Sequence, residues 1–449
     1  MSSFSRERLE HLEHLIRSRS HIDPALYDTH NVKRGLRNKN GTGVLVGITT
    51  IADVMGYTYV DGEKTPCEGD LSYRGYSILD LVHEGQKEDR FLFEEISYLL
   101  LFGALPSQEA LADFTDAVAA HRALPPDYLE TVIMRLPGEN IMNKMMQAVL
   151  SLYTFDDAPE DTSTINVLTQ SLSLIAKMPL IMAYSYAAKR HYIDDESLII
   201  HRYCPEYSTA ENILHLIRPD SQFTKEEAQI LDLLLVLHAE HGGGNNSSFA
   251  THVVSSSGTD TYSAIATALG SLKGPRHGGA NLMVASMLED IREHVEHLDD
   301  EEELTDYLKA ILAGEAFNGE GLIYGLGHAV YTLSDPRAVL LKEKARELAA
   351  HKGRDEDFAF VERVERLGGE LLQERRRTDY PAPANVDLYS GLVFDMLGIP
   401  KELYTPLFAL ARTSGWCAHR LEQIMDGKIM RPAYVTLNTP KDYTPLTRR

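Results

Sequence analysis

Cysteine and basic side chains are both scarce in this 449-residue sequence. Its three cysteines, Cys67, Cys204 and Cys417, lie far apart and never as CxxC, so a disulfide framework and a zinc ribbon are excluded. The 44 Lys and Arg residues are outnumbered by 66 Asp and Glu residues, which gives a formal net charge of -22. A broad nucleic-acid or anionic-membrane surface is therefore excluded, because such partners are held mainly by basic side chains. An anionic ligand would have to meet a local basic cluster.

Long apolar runs are missing as well. No stretch approaches the roughly 18–20 apolar residues of a membrane span. The N-terminal sequence lacks the apolar segment of a secretory signal, and Glu7, Glu10 and Glu13 are unlike a transit peptide, which is poor in acids. The three separate cysteines predict reduced thiols, and together with that these features predict a soluble, cytoplasmic protein.

Helical periodicity dominates the chain, whose hydrophobic content is 43%. In residues 224–241, Thr224 and Glu227 have the spacing of a capping box ahead of an apolar run. Residues 260–273 carry apolar side chains three and four positions apart, as one face of an amphipathic helix does. Similar patterns predict helices at about 91–104, 107–122, 140–153, 165–190, 208–218, 278–297, 337–350, 355–376 and 404–426. Strand-forming residues are confined to Gly43–Val60, so the predicted fold class is mainly α.

Two changes in composition divide the second half of the chain. Ten acidic residues and one basic residue, Arg292, lie between Glu289 and Asp306, and the stretch Tyr380–Ala384 contains two prolines. The acidic run by itself predicts a solvated helix face and loop. Together the two places predict a segment inserted between the parts of a larger domain.

Four histidines lie in glycine-rich surroundings, which is unusual for side chains that only fill a core. His238 and His241 belong to LHAEHGGGNN, His277 to GPRHGGAN and His328 to YGLGHAVY. Glycine permits close approach of the backbone to a ligand, and an adjacent helix start supplies free N–H donors, so these loops predict a site. His238 and His241 could also bind Zn²⁺. A metal is not expected, because the spacing is not HExxH and no cluster of further ligands is evident.

Two arginines and one aspartate extend this candidate site. In SDPRA, the aspartate can cap a helix and the proline can begin it, which places Arg337 in the first helical turn, a favourable position for a carboxylate. Arg412 lies in an apolar helix, where it either forms a buried salt bridge or binds a ligand. Asp387 lies near another helix start and either caps that helix or acts as a base. Histidines, a carboxylate and arginines together fit proton abstraction beside a carbonyl group of a di- or tricarboxylate.

The motifs of this chain, in their order, resemble those of the citrate synthase family. They are LHAEHGGGNNSSF, SSGTDTYSAIATALGSLKGPRHGGAN, GLGHAVYTLSDPRA, NVDLYSG, and FALARTSGWCAH followed by IMRPAY. The resemblance runs from about residue 40 to the C-terminus. It implies a mostly helical homodimer with a large domain of residues 1–284 and 392–449 and a small domain of residues 285–391 that closes over the substrates.

The resemblance also implies catalytic roles. Asp387 would remove a methyl proton from acetyl-CoA while neutral His277 donates a hydrogen bond to the thioester oxygen. His328 would polarise the keto carbonyl of oxaloacetate and protonate the developing alkoxide. The resulting citryl-CoA would be hydrolysed to citrate and CoA by acid–base and electrostatic catalysis, with no metal.

By the same resemblance, the remaining site residues bind the two substrates. His238, Arg337 and Arg412 would surround the carboxylates of oxaloacetate, and Arg431 would reach the site of the partner subunit. The backbone around Leu322, Gly325 and Gly327 would recognise the adenine of acetyl-CoA, which is a cosubstrate and not a tightly bound cofactor.

Two other functions stay open at this point. A 2-methylcitrate synthase performs the same chemistry with propanoyl-CoA and needs room for only one more methylene, a difference worth about 1–3 kcal/mol. A catalytically inactive family member could serve as a binding protein, although all three catalytic residues are present.

Overall fold

The computed structural model describes residues 5–448. The predicted fold class is confirmed, since the described residues form seventeen α-helices and one three-stranded sheet. They divide into two compact units, one made of residues 5–47 and 431–448 and the other of residues 48–430.

The smaller unit contains helices α1 (Arg6–Ser20) and α2 (Ala25–Thr29). Neither helix buries any of its residues. Residues 431–448 are irregular apart from a short 3-10 turn, Leu446–Arg448. This unit therefore exposes much of its apolar surface in the single chain, including Leu9, Ile16 and Leu45.

The sheet opens the larger unit and consists of β1 (Ala52–Val60), β2 (Glu63–Tyr73) and β3 (Tyr76–Ser77), paired antiparallel in that order. The prediction of strand structure only within 43–60 was wrong about β2. Its sequence, EKTPCEGDLSY, contains proline, glycine and charged residues that have low strand propensity. Strand β2 forms because its backbone pairs with β1, and strand propensity does not include such pairing.

The other fifteen helices belong to the larger unit. They are α3 (Ile78–Lys87), α4 (Phe93–Phe102), α5 (Gln108–Ala120), α6 (Ile141–Ser151), α7 (Thr164–Tyr192), α8 (Thr209–Ile217), α9 (Lys225–His238), α10 (Asn246–Ser255), α11 (Thr261–Leu272), α12 (Ala280–His294), α13 (Glu301–Ala313), α14 (Pro336–Lys352), α15 (Asp355–Arg376), α16 (Val386–Met396) and α17 (Tyr404–Asp426). Every helix that periodicity predicted is present, whereas α1, α2, α3, α10 and α13 were not predicted.

Helix α13 begins inside the acidic run that predicted only a solvated face and loop. Asp300 caps it, and three glutamates occupy its first turn, where the positive end of the helix dipole stabilises negative charge. The helix buries Leu304, Leu308 and Ile311. The acidic run is thus partly a helix start, and its charges favour that start.

Helix α7 is long and apolar enough to cross a membrane by length and composition alone. However, 67% of its most apolar window is buried inside the protein, as in the core helix of a soluble fold. Helix α17 is a second core helix, and Arg412, Trp416 and Arg420 on it are completely buried. Two cations in such a place need a specific explanation.

Three helix ends position the candidate site. Thr224 and Glu227 form the predicted capping box of α9, but the helix ends at His238, so His241 lies beyond it. Asp335 caps α14, which begins at Pro336, as predicted. Asn385 caps α16.

Candidate active site

The residues that the sequence singled out meet where helix ends face the middle of α17. His238 ends α9, and His277 precedes α12 in a tight turn. Arg337 and Asp387 lie in the first turns of α14 and α16. The charged groups among them shift the pKa values of their neighbours, so these side chains form one cluster. Its members are His238, His241, His277, His328, Arg337, Asp387 and Arg412.

Arg412 is the least satisfied cation of this cluster. Its side chain is fully buried, and its Nε donates a hydrogen bond to the carbonyl oxygen of His238 at 2.7 Å. Both outer guanidinium nitrogens lack a hydrogen-bond partner, and no carboxylate of the described residues lies within 4.0 Å of them. Burial lowers the pKa of Arg412 to about 10 while Glu240 opposes that shift, so the group stays charged at neutral pH. The buried salt bridge considered from the sequence is not formed, and the two free donors suit an anion.

Arg337 is arranged differently, because it already has an anionic partner. Its Nε and Nη2 donate to the two carboxylate oxygens of Asp335 at 3.0 and 2.7 Å. Although burial would lower it, the pKa of Arg337 is raised by Asp335. The guanidinium carbon also lies 5.7 Å from the ring centre of Tyr331. Arg337 is therefore a preoriented cation whose position is fixed before any ligand binds.

His238 and His241 are both buried, and the Nε2 atom of each lacks a hydrogen-bond partner. Burial, together with Arg337 and Arg412, lowers the pKa of His238 to about 3. Burial and Arg337 also hold the pKa of His241 well below its usual value. Both imidazoles are neutral at pH 7, and each has one free ring nitrogen for a ligand.

The rings of His277 and His328 are each anchored by backbone donors. The Nε2 atom of His277 accepts the backbone N–H of Ser247 at 3.3 Å, and burial followed by Arg412 lowers its pKa to about 4. The Nδ1 atom of His328 accepts the backbone N–H groups of Val330 and Tyr331 at 3.1 and 3.2 Å. A neutral His328 ring must therefore carry its proton on Nε2, which makes Nε2 a donor.

Asp387 is half-buried and does not cap its helix. The side chain of Asn385 accepts the backbone N–H of Asp387 at 3.0 Å, so Asn385 caps the helix. The alternative that Asp387 is the cap is therefore wrong. Burial raises the pKa of Asp387 to about 6, although Arg337 and Arg412 act to lower it. Its carboxylate is mainly ionised at pH 7 and is a stronger base than an ordinary aspartate.

The glycine loop before His328 is bound to the segment before α16. The N–H of Gly327 donates to the carbonyl of Pro383 at 2.7 Å, and the N–H of Asn385 donates to the carbonyl of Gly325 at 2.9 Å. Both glycines have positive φ, and a Cβ on Gly325 would lie 2.9 Å from Leu388. Leu322, at the start of the loop, is half exposed. The loop thus ties the backbone at His328 to the start of the helix that carries Asp387.

Arg431, the predicted site residue nearest the C-terminus, lies outside the unit that contains this cluster. It belongs to the smaller unit and is exposed there. Its predicted role requires a partner subunit and stays a prediction.

Two residues beside the site, Tyr331 and Glu240, escaped the sequence analysis. His241 was predicted as part of the site from its glycine-rich loop and was also considered as a metal ligand, and its ring centre lies 5.0 Å from that of His328. Tyr331 stacks on His328 at 4.6 Å, and its buried hydroxyl has no hydrogen-bond partner. Glu240, between the two histidines, is completely buried. The GHAVY and LHAEH motifs contain these residues, but only their tertiary contacts show where the side chains lie.

The described residues contain one group with metal-ligand geometry. It is formed by His252, His419 and Glu422, whose ligand atoms lie within 4.8 Å of one another. It does not include His238 or His241, the pair considered from the sequence.

Neutral imidazoles, two buried guanidinium groups and a carboxylate with a pKa near 6 make up an acid–base site for an anionic substrate. The class of protein defined by fold and site is therefore a mainly α-helical acid–base enzyme. Comparison with known proteins gives the family.

The family model for "Citrate synthase, C-terminal domain" matches residues 42–433. A citrate synthase of Haloferax volcanii is 33% identical, covering 93% of this chain and 99% of that protein. A 2-methylcitrate synthase 1 of Corynebacterium glutamicum is 32% identical, covering 89% and 94%. The structure of Thermoplasma acidophilum citrate synthase in a ternary complex with carboxymethyl coenzyme A and oxaloacetate has a TM-score of 0.73 and 25% identity, covering 93% and 99%.

The chain belongs to the citrate synthase family, as its motifs predicted. It is an acyltransferase of that family. The family needs no tightly bound cofactor, and CoA takes part as a substrate.

Proposed function

We propose that the protein condenses acetyl-CoA with oxaloacetate and hydrolyses the resulting citryl-CoA to citrate and CoA. The observation that carries the proposal is the combination of Arg412, a buried guanidinium with two unpartnered nitrogens, and Asp387, whose pKa is raised to about 6. The first can bind a carboxylate, and the second can remove a proton near neutral pH. The Haloferax volcanii relative bears the same activity in its name.

In the first step, Asp387 takes a proton from the methyl carbon of acetyl-CoA. The C–H electron pair becomes the enolate double bond, and negative charge develops on the thioester oxygen. A neutral His277 stabilises that oxygen by donating a hydrogen bond, and its pKa of about 4 keeps the ring neutral for this role. The donor is the ring nitrogen that Ser247 does not hold.

In the second step, the nucleophilic carbon attacks the keto carbon of oxaloacetate, and a C–C bond forms. His328 donates from Nε2 to the keto oxygen and passes that proton to the alkoxide as it forms, and the proton that Asp387 removed from the methyl group returns to His328 through solvent, so that both residues end as they began. Its Nδ1 is held by the backbone at Val330 and Tyr331, so the ring points one fixed donor at the substrate. Water then cleaves the thioester, which yields citrate and CoA. This chemistry needs proton transfer and charge stabilisation, and we propose that no metal takes part.

The carboxylates of oxaloacetate bind among Arg412, Arg337, His238 and His241. Arg412 offers two free nitrogens, and each histidine offers one. Since Arg337 is held by Asp335, it supplies charge from a fixed position. A dianion in this pocket relieves the repulsion between two buried cations.

We further propose that the protein acts as a homodimer in the cytoplasm. Exposed apolar residues of the smaller unit, such as Leu45 and Tyr434, support a partner subunit, and Arg431 would enter the site of that partner. Residues 285–391 would form the small domain that closes over the substrates, and Leu322, Gly325 and Gly327 would contact the adenine of acetyl-CoA. The free cysteines support a reducing compartment.

The second candidate function is 2-methylcitrate synthesis from propanoyl-CoA. The observation that favours it is the Corynebacterium glutamicum relative of that name, which is nearly as similar as the citrate synthases. One methylene changes the barrier by only about 1–3 kcal/mol, so both activities can coexist in one site.

Release of CoA by the purified protein separates these functions. With oxaloacetate present, we expect faster turnover per unit concentration on acetyl-CoA than on propanoyl-CoA, by roughly tenfold or more. The measurement follows thiol release over a range of each acyl-CoA. Omission of oxaloacetate is the control for simple thioester hydrolysis, and treatment with EDTA should leave the rate unchanged.

Each other outcome of this assay has a definite meaning. A preference for propanoyl-CoA would favour the methylcitrate function. No release with either thioester would contradict both and would support an inactive, binding member of the family.

The pH dependence of kcat/KM for acetyl-CoA should follow the ionisation of Asp387. Because burial raises its pKa to about 6, activity should be maximal above that pH and fall about tenfold per unit below it. His238 and His277, at about 3 and 4, titrate below this window. Rates between pH 5 and 8 test this, with circular dichroism as a check that the fold persists. A flat profile down to pH 5 would contradict the assignment of the base.

A further inference from the structure

Glu240 is a buried carboxylate near His419 and Arg412, and of these two it contacts only His419. Its Oε1 accepts a hydrogen bond from Nε2 of His419 at 3.0 Å. Its Oε2 is buried and has no hydrogen-bond partner. Arg412 is its largest opposing charge after His419, yet the outer nitrogens of Arg412 are equally without a partner. An unmet acceptor and two unmet donors thus lie close together without pairing.

The position of Glu240 beside α17 shows how near its carboxylate lies to Arg412. A Cβ on Gly415 would collide with Oε2, so this oxygen lies directly over that glycine. Gly415 follows Arg412 by three residues and precedes His419 by four. The carboxylate of Glu240 therefore lies between Arg412 and His419, about one helical turn from each.

A chain of hydrogen bonds holds His419 in place. Its Nδ1 meets Nε2 of His252 at 2.9 Å, and Nδ1 of His252 meets Oε1 of Gln423 at 2.9 Å. Within this chain, Nε2–H of His419 donates to Oε1 of Glu240. Glu240 is ionised, because His419 and Arg412 lower its pKa to about 2 against the opposing effect of burial.

We propose that His419 is a positioning residue, which holds the carboxylate of Glu240 away from Arg412 and so leaves both outer guanidinium nitrogens free for a substrate carboxylate. Without His419, Glu240 would turn along α17 toward Arg412 and compete with the substrate from inside the protein. The inference rests on the proposed use of oxaloacetate for its kinetic test, but its electrostatic part can be measured without substrate.

The kinetic test uses His419→Leu, which removes both nitrogens and keeps a similar volume. We expect KM for oxaloacetate to rise by about ten- to a hundredfold, since hydrogen bonds to a charged group are replaced, while kcat at saturation stays within about threefold. The double variant Glu240→Gln/His419→Leu removes the competing charge and should bring KM back to within about threefold of the original value. A merely structural role of His419 would not be rescued in this way.

Gln423→Leu is the matched control, because it breaks the outer hydrogen bond of the chain and leaves the contacts of His419 with Glu240 and His252. Its KM should be unchanged. A normal KM in His419→Leu, or a raised KM that persists in the double variant, would overturn the proposal. If His419→Leu does not fold, Glu240→Gln alone decides, since it retains an acceptor for His419: an unchanged or lower KM supports the proposal, and a raised KM overturns it.

A substrate-free measurement separates this inference from the proposed function. Urea unfolding of Glu240→Gln, Arg412→Leu and their combination gives the coupling between these two side chains. We expect a small coupling when His419 is present and a clearly larger one in the His419→Leu background. If the unaltered protein released no CoA, the proposed function would fail while this measurement still stood. An unchanged coupling would overturn the positioning role of His419.

Discussion

Asp387→Asn should abolish most turnover while oxaloacetate still binds. The substitution keeps the shape of the side chain but removes the base, and general-base catalysis contributes about 10²- to 10⁴-fold to a rate. We therefore expect kcat to fall by roughly that factor. The affinity for oxaloacetate, measured by calorimetry, should be unchanged or slightly higher, because one negative charge near the dianion is lost.

Asp395→Asn is the control on the same helix. Asp395 is exposed and pairs with Arg354 on the surface, so its loss should leave kcat unchanged. Asp387→Asn should also lose the inflection near pH 6 in its residual activity. Turnover within a few-fold of the original protein would exclude Asp387 as the base and would leave the site without an obvious one among the residues described above.

Arg412→Leu should weaken oxaloacetate binding by about a hundredfold or more, because the two free guanidinium donors are lost together with a buried charge. Without substrate, the same substitution should not destabilise the protein. A buried cation with a single hydrogen bond and no carboxylate in contact is costly, so its removal should leave the free energy of unfolding unchanged or higher. KM for oxaloacetate and urea unfolding without ligand test the two halves of this prediction.

Arg420 gives a closely matched comparison on the same helix. It is as deeply buried as Arg412, but its donors are satisfied by Thr261, Ser255 and the carbonyl of Thr259 at 2.8–3.1 Å. Arg420→Leu should leave KM unchanged and destabilise the fold by about 2–5 kcal/mol, because several buried acceptors lose their partner. Equal effects of the two substitutions on KM and stability would contradict the assignment of Arg412 to substrate binding.

The contrast between these two arginines shows what sequence could and could not predict. Both occur in an apolar helical pattern, so burial of a cation was predictable for each. Whether all donors of that cation have acceptors depends on the groups that α10, α11 and the end of α9 place beside it. These helices are distant from α17 in sequence. Periodicity fixes which face of α17 is buried and contains no information on those partners.

The end of α9, near His238 and His241, is a second feature that the sequence did not predict correctly. The pattern around LHAEH predicted one helix through His241, and the structure ends that helix at His238. The three-residue difference moves His241 out of line with His238 and toward His328. Helix ends depend on competition for backbone groups, and here the side-chain hydroxyl of Tyr73 donates to the carbonyls of Val236 and Glu240. That competition involves a strand about 160 residues earlier and leaves no local pattern.

The bonds between the glycine loop and the start of α16 have a consequence for how this enzyme can change. The backbone of Gly325 is bonded to that of Asn385 and the backbone of Gly327 to that of Pro383, while the side chain of Asn385 donates to the carbonyl of Gly327. The spacing between the proposed acid, His328, and the proposed base, Asp387, is therefore set by hydrogen bonds to the main chain of the loop. Substitutions that enlarge or reshape an acyl pocket can then accumulate without altering the distance over which protons are moved. Substrate range and reaction geometry are thus separate properties of one fold, and evolution or design can vary the first while the second is inherited intact.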